Sequence, residues 1–290
     1  SVAMGWRVNE EAFLRDVEKI NDLKLRFSWG ISGNAPNKNY LFFNSYQASA
    51  DYGYMGVSGV RPEGIELTDL RWESIEQINP GLTFAAFNYN LTFEFDYYVK
   101  RTTDLYLPEF GIPSYTGYSK LNRNDGEMLN RGWEFFTNVV IVKNSKLNIQ
   151  FNFNLSSNEN VVVRMPENYS LEYGDMLDNG NYKISIQPGN AIGGFYGYEY
   201  DGVYSDNDEV IARDVEGNQI YDLNGEPLLM VHGGQSNYIF EQGDAKYVDQ
   251  NYDGVIDELD LIYLGDINPD FMGGFGPRFA LNTRIGEFVI

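Results

Sequence analysis

The residues best suited to chemistry lie near the end of the chain, in Asp249-Gln250-Asn251-Tyr252-Asp253-Gly254-Val255-Ile256-Asp257-Glu258-Leu259-Asp260. The pattern is D-x-N-x-D-G-x-I-D-x-x-D. Calcium takes about six to eight hard oxygens, and a loop that offers a side-chain oxygen on alternate residues can wrap one ion. Asp249, Asn251 and Asp253 supply those oxygens, Gly254 permits a sharp turn, and Val255 offers its backbone carbonyl. Asp257 acts through a water, and Asp260 closes the loop where a longer Glu is usual, which shortens its bidentate reach. The flanks read as extended chain, so this is a calcium loop without a full EF-hand, and its expected role is a structural clamp. The competing reading is a solvated turn, because Asn, Asp and Gly favour turns without any ion.

No other constellation carries chemistry as well. His232 is the single histidine and has no G-x-S-x-G nucleophile motif beside it, so a loop or packing histidine is expected. Carboxylate pairs such as Glu66/Asp69 or Asp206/Asp208 would suit a glycosidase, yet 42 acidic residues make such pairs inevitable. Tyr196, Tyr198 and Tyr200 could stack on sugar rings, but an interfacial girdle or a packed strand face is the stronger reading. Gly273-Gly274-Phe275-Gly276 lacks the lysine of a phosphate loop and reads as close backbone packing at a strand start. No cysteine exists to serve as nucleophile, thiolate ligand or disulfide. No catalytic residue is assigned, and the chain is not expected to be an enzyme. A net charge of −21 argues against binding to nucleic acid phosphates.

The elements that must position these residues are strands. From Phe87 to Val99 every odd position is apolar or aromatic, and the facing set is Asn88, Asn90, Thr92, Glu94, Asp96 and Tyr98. Side chains alternate across a strand, so this period of two predicts one strand with two different surroundings. Leu147, Ile149, Phe151, Phe153 and Leu155 repeat the pattern against Lys146, Asn148, Gln150, Asn152 and Asn154. Further strands are expected over 1–8, 23–30, 132–142 and 275–285. Lys143-Asn144-Ser145 is a tight turn, and 65–78 is expected to pair with 82–99 across Asn79-Pro80-Gly81.

Short and long connections alternate: 31–64, 101–131 and the stretch from 157 to about 273 are long. Membrane barrels combine brief turns on one rim with long loops on the other, and a transmembrane strand of about 9–11 residues alternates apolar and polar sides. A soluble sandwich with decorated loops remains the alternative. Aromatics make up 16% of residues, enough for interfacial girdles. No run of apolar residues is long enough for a spanning helix. About seven strands are expected, whereas a closed single-chain barrel takes an even number. The chain also opens in strand material with no signal peptide before it. Residues 1–290 are therefore read as part of a larger polypeptide, with 157–273 as one long surface loop.

Several segments resemble the SusC/RagA family of TonB-dependent outer-membrane transporters, found in Bacteroidota. They are Met4-Gly5-Trp6-Arg7-Val8-Asn9-Glu10-Glu11, Leu23-Lys24-Leu25-Arg26-Phe27-Ser28-Trp29-Gly30, Trp72-Glu73, Tyr97-Tyr98-Val99-Lys100-Arg101-Thr102-Thr103-Asp104-Leu105, Asn130-Arg131-Gly132-Trp133-Glu134 and Tyr196-Gly197-Tyr198-Glu199-Tyr200-Asp201-Gly202-Val203. The resemblance implies an all-β fold: an antiparallel transmembrane β-barrel, here a fragment of the C-terminal half of a 22-stranded barrel, without its plug or N-terminal domains. It implies outer-membrane lipid around the wall and a SusD-like surface lipoprotein as lid. It further implies coupling to the TonB complex and an oligosaccharide (glycan) or peptide cargo. Short D-N-D-G-I-D segments recur in the family's long surface loop. Two alternatives to import stay open: a SusC-like barrel serving as a structural subunit of a larger assembly, and a calcium-stabilised surface β-protein that binds carbohydrate.

Overall fold

In the computed structural model, residues 1–36, 41, 43–166, 183–233, 237–283 and 286–289 are described. Two compact units emerge, one formed by 1–169, 187–189 and 268–290, the other by 170–186 and 190–267.

The first unit is an eight-stranded antiparallel meander in which each strand pairs with its neighbours along the chain. Its strands are β1 (Val2–Arg7), β2 (Ile20–Asn34), β3 (Glu73–Ala86), β4 (Leu91–Thr103), β5 (Glu127–Lys143), β6 (Leu147–Arg164), β7 (Met272–Thr283) and β8 (Gly286–Val289). β8 is one more strand than the sequence pattern supplied. Among the described residues the even count does not close the sheet, since β1 pairs only with β2 and β8 only with β7.

Register explains why one face is apolar throughout. Trp6, Leu25, Leu82, Phe95, Phe135 and Leu155 lie opposite one another on six successive strands. The next row holds Leu23, Phe84, Phe93, Thr137, Phe153 and Phe275. Rings touch within this row, Phe84 to Phe93 at 5.0 Å, and across to Phe135 of the row before it, Phe93 to Phe135 and Phe135 to Phe153 each at 6.2 Å between centroids. These side chains are not a core: Phe95 is 38% exposed, Phe153 37% and Phe275 64%. A continuous exposed apolar band across eight strands is the surface a bilayer covers. From Leu91 to Val99 the band spans roughly 26 Å at about 3.3 Å per residue, close to the hydrophobic height of a membrane barrel.

The opposite face is polar and cross-linked. Asn138 Nδ2 donates to Asn152 Oδ1 at 2.7 Å, and Asn160 Nδ2 to Asn130 Oδ1 at 2.8 Å. Glu94, Asp96, Glu134, Asn154 and Ser156 line a recess of about 230 Å³ with Phe136. Arg26 pairs with Asp96 at 2.8 Å, reaching across the intervening β3 over Gly81.

Four expectations change. The alternating stretch does not begin a strand at Phe87. Phe87, Asn88 and Tyr89 have φ of 56°, 59° and 61° and make the β3–β4 hairpin, with β4 starting at Leu91. Alternation merely continues in phase through this turn, which periodicity cannot detect. Asn79-Pro80-Gly81 is no turn either and lies inside β3. Pro80 has no N–H to give, and the ladder towards β4 skips from Ile78–Val99 to Gly81–Asp96. No strand covers 65–72, because β3 starts at Glu73. Finally, the long connections are not structureless. Residues 31–64 hold the hairpin Tyr46–Tyr54/Val57–Pro62, and 101–131 holds Tyr106–Gly111/Lys120–Asn124. The third begins later than 157, since β6 continues to Arg164. The Lys143–Ser145 turn does stand, with Asn144 Oδ1 accepting from the Lys146 and Leu147 amides at 2.9 and 2.8 Å.

The second unit fills that third connection with short sheets. Gly194–Tyr198 lies between Lys183–Ser185 and Leu261–Gly265, Tyr200–Val203 pairs with Ala245–Tyr247, and Val231–His232 lies between Tyr238–Ile239 and Val255–Ile256. They surround a core of Tyr204, Val210, Ala212, Met230, Phe240 and Ile256.

Candidate functional site

The acidic loop is anchored on that core. Ile256 is fully buried, and the Val231 amide donates to the Gly254 carbonyl at 3.0 Å, so the loop's middle is one edge of a small sheet. Gly254 has φ +84°, and a Cβ there would come within 2.9 Å of Leu228 and 3.0 Å of Ala212. Only glycine satisfies both demands.

Around this pivot the loop's oxygens bind its own amides. Asp249 Oδ1 accepts from Tyr252 at 2.7 Å and Oδ2 from Gly254 at 2.7 Å. Asn251 Oδ1 accepts from the Asp253 amide at 3.1 Å, and Asp253 Oδ1 from Val255 at 2.8 Å. Asp257 caps the 3₁₀ turn Glu258–Asp260, accepting from Leu259 at 2.8 Å. Asp260, fully buried, accepts from Gln250 and Asp257, both at 2.8 Å. Burial first, then the nearby charges of Asp249 and Asp253, push its carboxyl above the ordinary value.

The residue types and their order suit calcium, and each accepting oxygen keeps a second lone pair. Among the described residues no three His, Cys, Asp or Glu groups gather closely enough to hold a metal ion. What stands is a hydrogen-bonded acidic turn that brings Asp249, Asn251, Asp253, Asp257 and Asp260 into one loop beside the Val255 strand.

The other sequence candidates separate. His232 packs edge-on against Tyr198 at 5.7 Å and beside Phe240 at 6.1 Å, as a packing histidine does. Tyr196 is buried, receives a bond from Asn190 at 2.9 Å and meets Tyr263 edge-on, while Tyr198 packs against Tyr247. Only Tyr200 of the three is exposed. Glu66 and Asp69 are exposed on an irregular segment. Gly273 sits where a Cβ would meet the Asn154 carbonyl at 2.7 Å, which is close backbone packing.

Sequence reasoning missed a cleft of about 350 Å³ in the second unit, lined by Asp201, Tyr204, Asp206, Asp208, Glu209 and Lys246 among others. Burial, then the charges of Asp249, Asp244, Asp201 and Glu209, push the Tyr204 hydroxyl up to about 12. The acidic run 201–209 was the available signal, hidden among many similar ones.

No protein-family model matches the chain. The TonB-dependent receptor P39 of Formosa agariphila is 32% identical over 304 residues, covering all of this chain and 28% of that protein. The TonB-dependent receptor SusC of Bacteroides thetaiotaomicron is 30% identical, again over the whole chain and 27% of its own length. Among solved structures, the RagAB peptide transporter matches 96% of this chain and 27% of its own, at 22% identity and a TM-score of 0.64. The chain thus spans about a quarter of the length of its relatives, which are receptors and transporters, not enzymes. Its exposed apolar band belongs in the bacterial outer membrane. Over its whole length the chain matches the C-terminal barrel part of TonB-dependent outer-membrane receptors, SusC among them, and its fold is that of the RagAB barrel.

Proposed function

We propose that the whole protein imports a nutrient across the outer membrane of a member of the Bacteroidota, with this chain as barrel wall. The observation that carries the reading is the two-faced sheet: an apolar band outside, and inside a polar surface of Glu94, Asp96, Glu134 and Asn154. Carboxylates and amides on such a wall can bond sugar hydroxyls or peptide groups without transforming them. The TonB-dependent receptor SusC and the RagAB peptide transporter support import, TonB coupling and a peptide as one cargo, while a SusD-like lipoprotein lid and an oligosaccharide as the other cargo rest on the resemblance of the sequence. Residues between β6 and β7 are taken as an extracellular insertion, since long loops face outward in such barrels. Within it, Asp249, Asn251, Asp253, the Val255 carbonyl, Asp257 and Asp260 would hold a structural calcium ion, drawing together carboxylates that repel one another without it.

The test is uptake of labelled oligosaccharides and peptides by cells carrying or lacking the full-length receptor, with and without TonB. Loss of one cargo class in both mutants supports import. Unimpaired uptake, with loss of an outer-membrane complex instead, favours the scaffold role.

A further inference from the structure

The cleft of the second unit is unused by the import reading and points to a ligand of its own. Its floor is Tyr204 and Met230, 2% and 6% exposed. Five carboxylates line it, from Asp201, Asp206, Asp208, Glu209 and Asp249, against the two cations Arg213 and Lys246. Lys246 Nζ is already held 2.9 Å from Asp201 Oδ2. Asp206 and Glu209 are exposed and set in place by backbone amides, Asp206 accepting from Asp208 and Glu209, and Glu209 from Ser205.

A cluster of acids alone would be a solvated rim. Here Tyr204, a residue only 2% exposed that lines the cleft, has no hydrogen-bond partner for its hydroxyl among the described residues, although the charges of Asp201, Glu209, Asp244 and Asp249 act on it. The phenol of a tyrosine buried this deeply ordinarily finds a protein partner, so this one is free to meet whatever enters the cleft. The walls select the ligand's chemistry. Ile211, Met230 and Val248 are apolar, Tyr247 offers an aromatic surface, and the volume of about 350 Å³ far exceeds a bare ion. Among the described residues no three carboxylates gather closely enough to hold a metal ion.

We propose that this cleft binds an organic cation, an ammonium or guanidinium group on an alkyl stem such as a lysine or arginine side chain. The stem lies against Met230 and Val248, Asp206 and Glu209 face the charged head, and the Tyr204 oxygen accepts one of its N–H groups. The proposal does not depend on import, because binding requires neither TonB nor cargo movement.

Calorimetric titration of the full-length receptor in detergent tests it, with Nα-acetyl-lysine amide, its Nε-acetylated counterpart and calcium chloride as probes. Saturable binding of the charged amide is expected, with the acetylated one about ten-fold weaker, as loss of one charged hydrogen bond implies. Tyr204→Phe should weaken the charged ligand about five-fold or more by the same reasoning. Asp206→Asn with Glu209→Gln, at exposed positions, should do so without disturbing the core. Equal binding of both amides, no saturable binding, displacement by calcium at equal stoichiometry, or unchanged affinity in the double variant would each overturn the proposal.

Discussion

At the scale of single residues, two glycines on the polar face matter through the side chains that cross over them. A Cβ on Gly81 would fall 2.2 Å from Asp96 Oδ1, within the Arg26–Asp96 pair. One strand pair along, Tyr98 covers Gly132 and donates to Asn158 at 2.8 Å, and a Cβ on Gly132 would meet its hydroxyl at 2.6 Å and the Ser157 carbonyl at 2.3 Å. Three strands are stitched at each place, and only a missing side chain in the middle strand allows it. Gly132→Ala should cost about 1–3 kcal/mol by overpacking, read as a lower unfolding temperature of the heat-modifiable barrel; an unchanged temperature would refute the stitch. Asp125 offers a pH test. Burial opposes its ionisation, but bonds from Arg164 and the Gly126 amide, with the charges of Arg123 and Arg164, outweigh that and hold its carboxyl below the ordinary value. A depressed folded value means stabilisation that is complete above the ordinary value of about 3.9 and lost as pH falls through the folded one. Hydrogen exchange of the Tyr106–Gly111/Lys120–Asn124 hairpin should rise only below that range, and an onset near neutrality would contradict the assignment.

At the scale of elements, the strands divide their residues between two surroundings, and substitutions should follow the face. Phe153 lies mid-band on the outward face of β6. Phe153→Arg is expected to cost about 2–4 kcal/mol, whereas Asn152→Arg on the polar face should leave assembly nearly intact; equal effects in a folding assay would deny the band its lipid. The acidic loop is an element too. If it holds calcium at a hundred times its dissociation constant, the ion adds about 2.7 kcal/mol. Calcium should then protect residues 190–267 of the full-length receptor from proteolysis relative to chelator. Asp253→Asn with Asp257→Asn should abolish the difference, and identical digestion of the unaltered protein in both conditions would remove the metal from the loop.

At the scale of the whole molecule, each unit has its own means of stability, a hydrogen-bonded sheet for one and the Tyr204–Ile256 core for the other. Replacing 190–267 by a short flexible linker should therefore leave the wall able to assemble in the membrane while removing the cleft. Failure of the shortened receptor to form a heat-modifiable barrel would show that the wall needs the insertion. The sequence by itself determined the class and the faces. Side chains alternate strictly along a strand, so the odd positions of 91–99 and 147–155 declare an apolar side wherever the strand ends. Family resemblance in the Tyr97–Leu105 and Asn130–Glu134 segments added the identity. Strand limits were beyond its reach, because Phe87–Tyr89 keeps the alternation while its backbone turns left-handed, and Pro80 looks like a turn while its neighbours hold it in a ladder. Only the tertiary structure decided that the acidic run 201–209 closes over Tyr204. That juxtaposition depends on segments some forty residues apart folding on one core, and no local spacing records it.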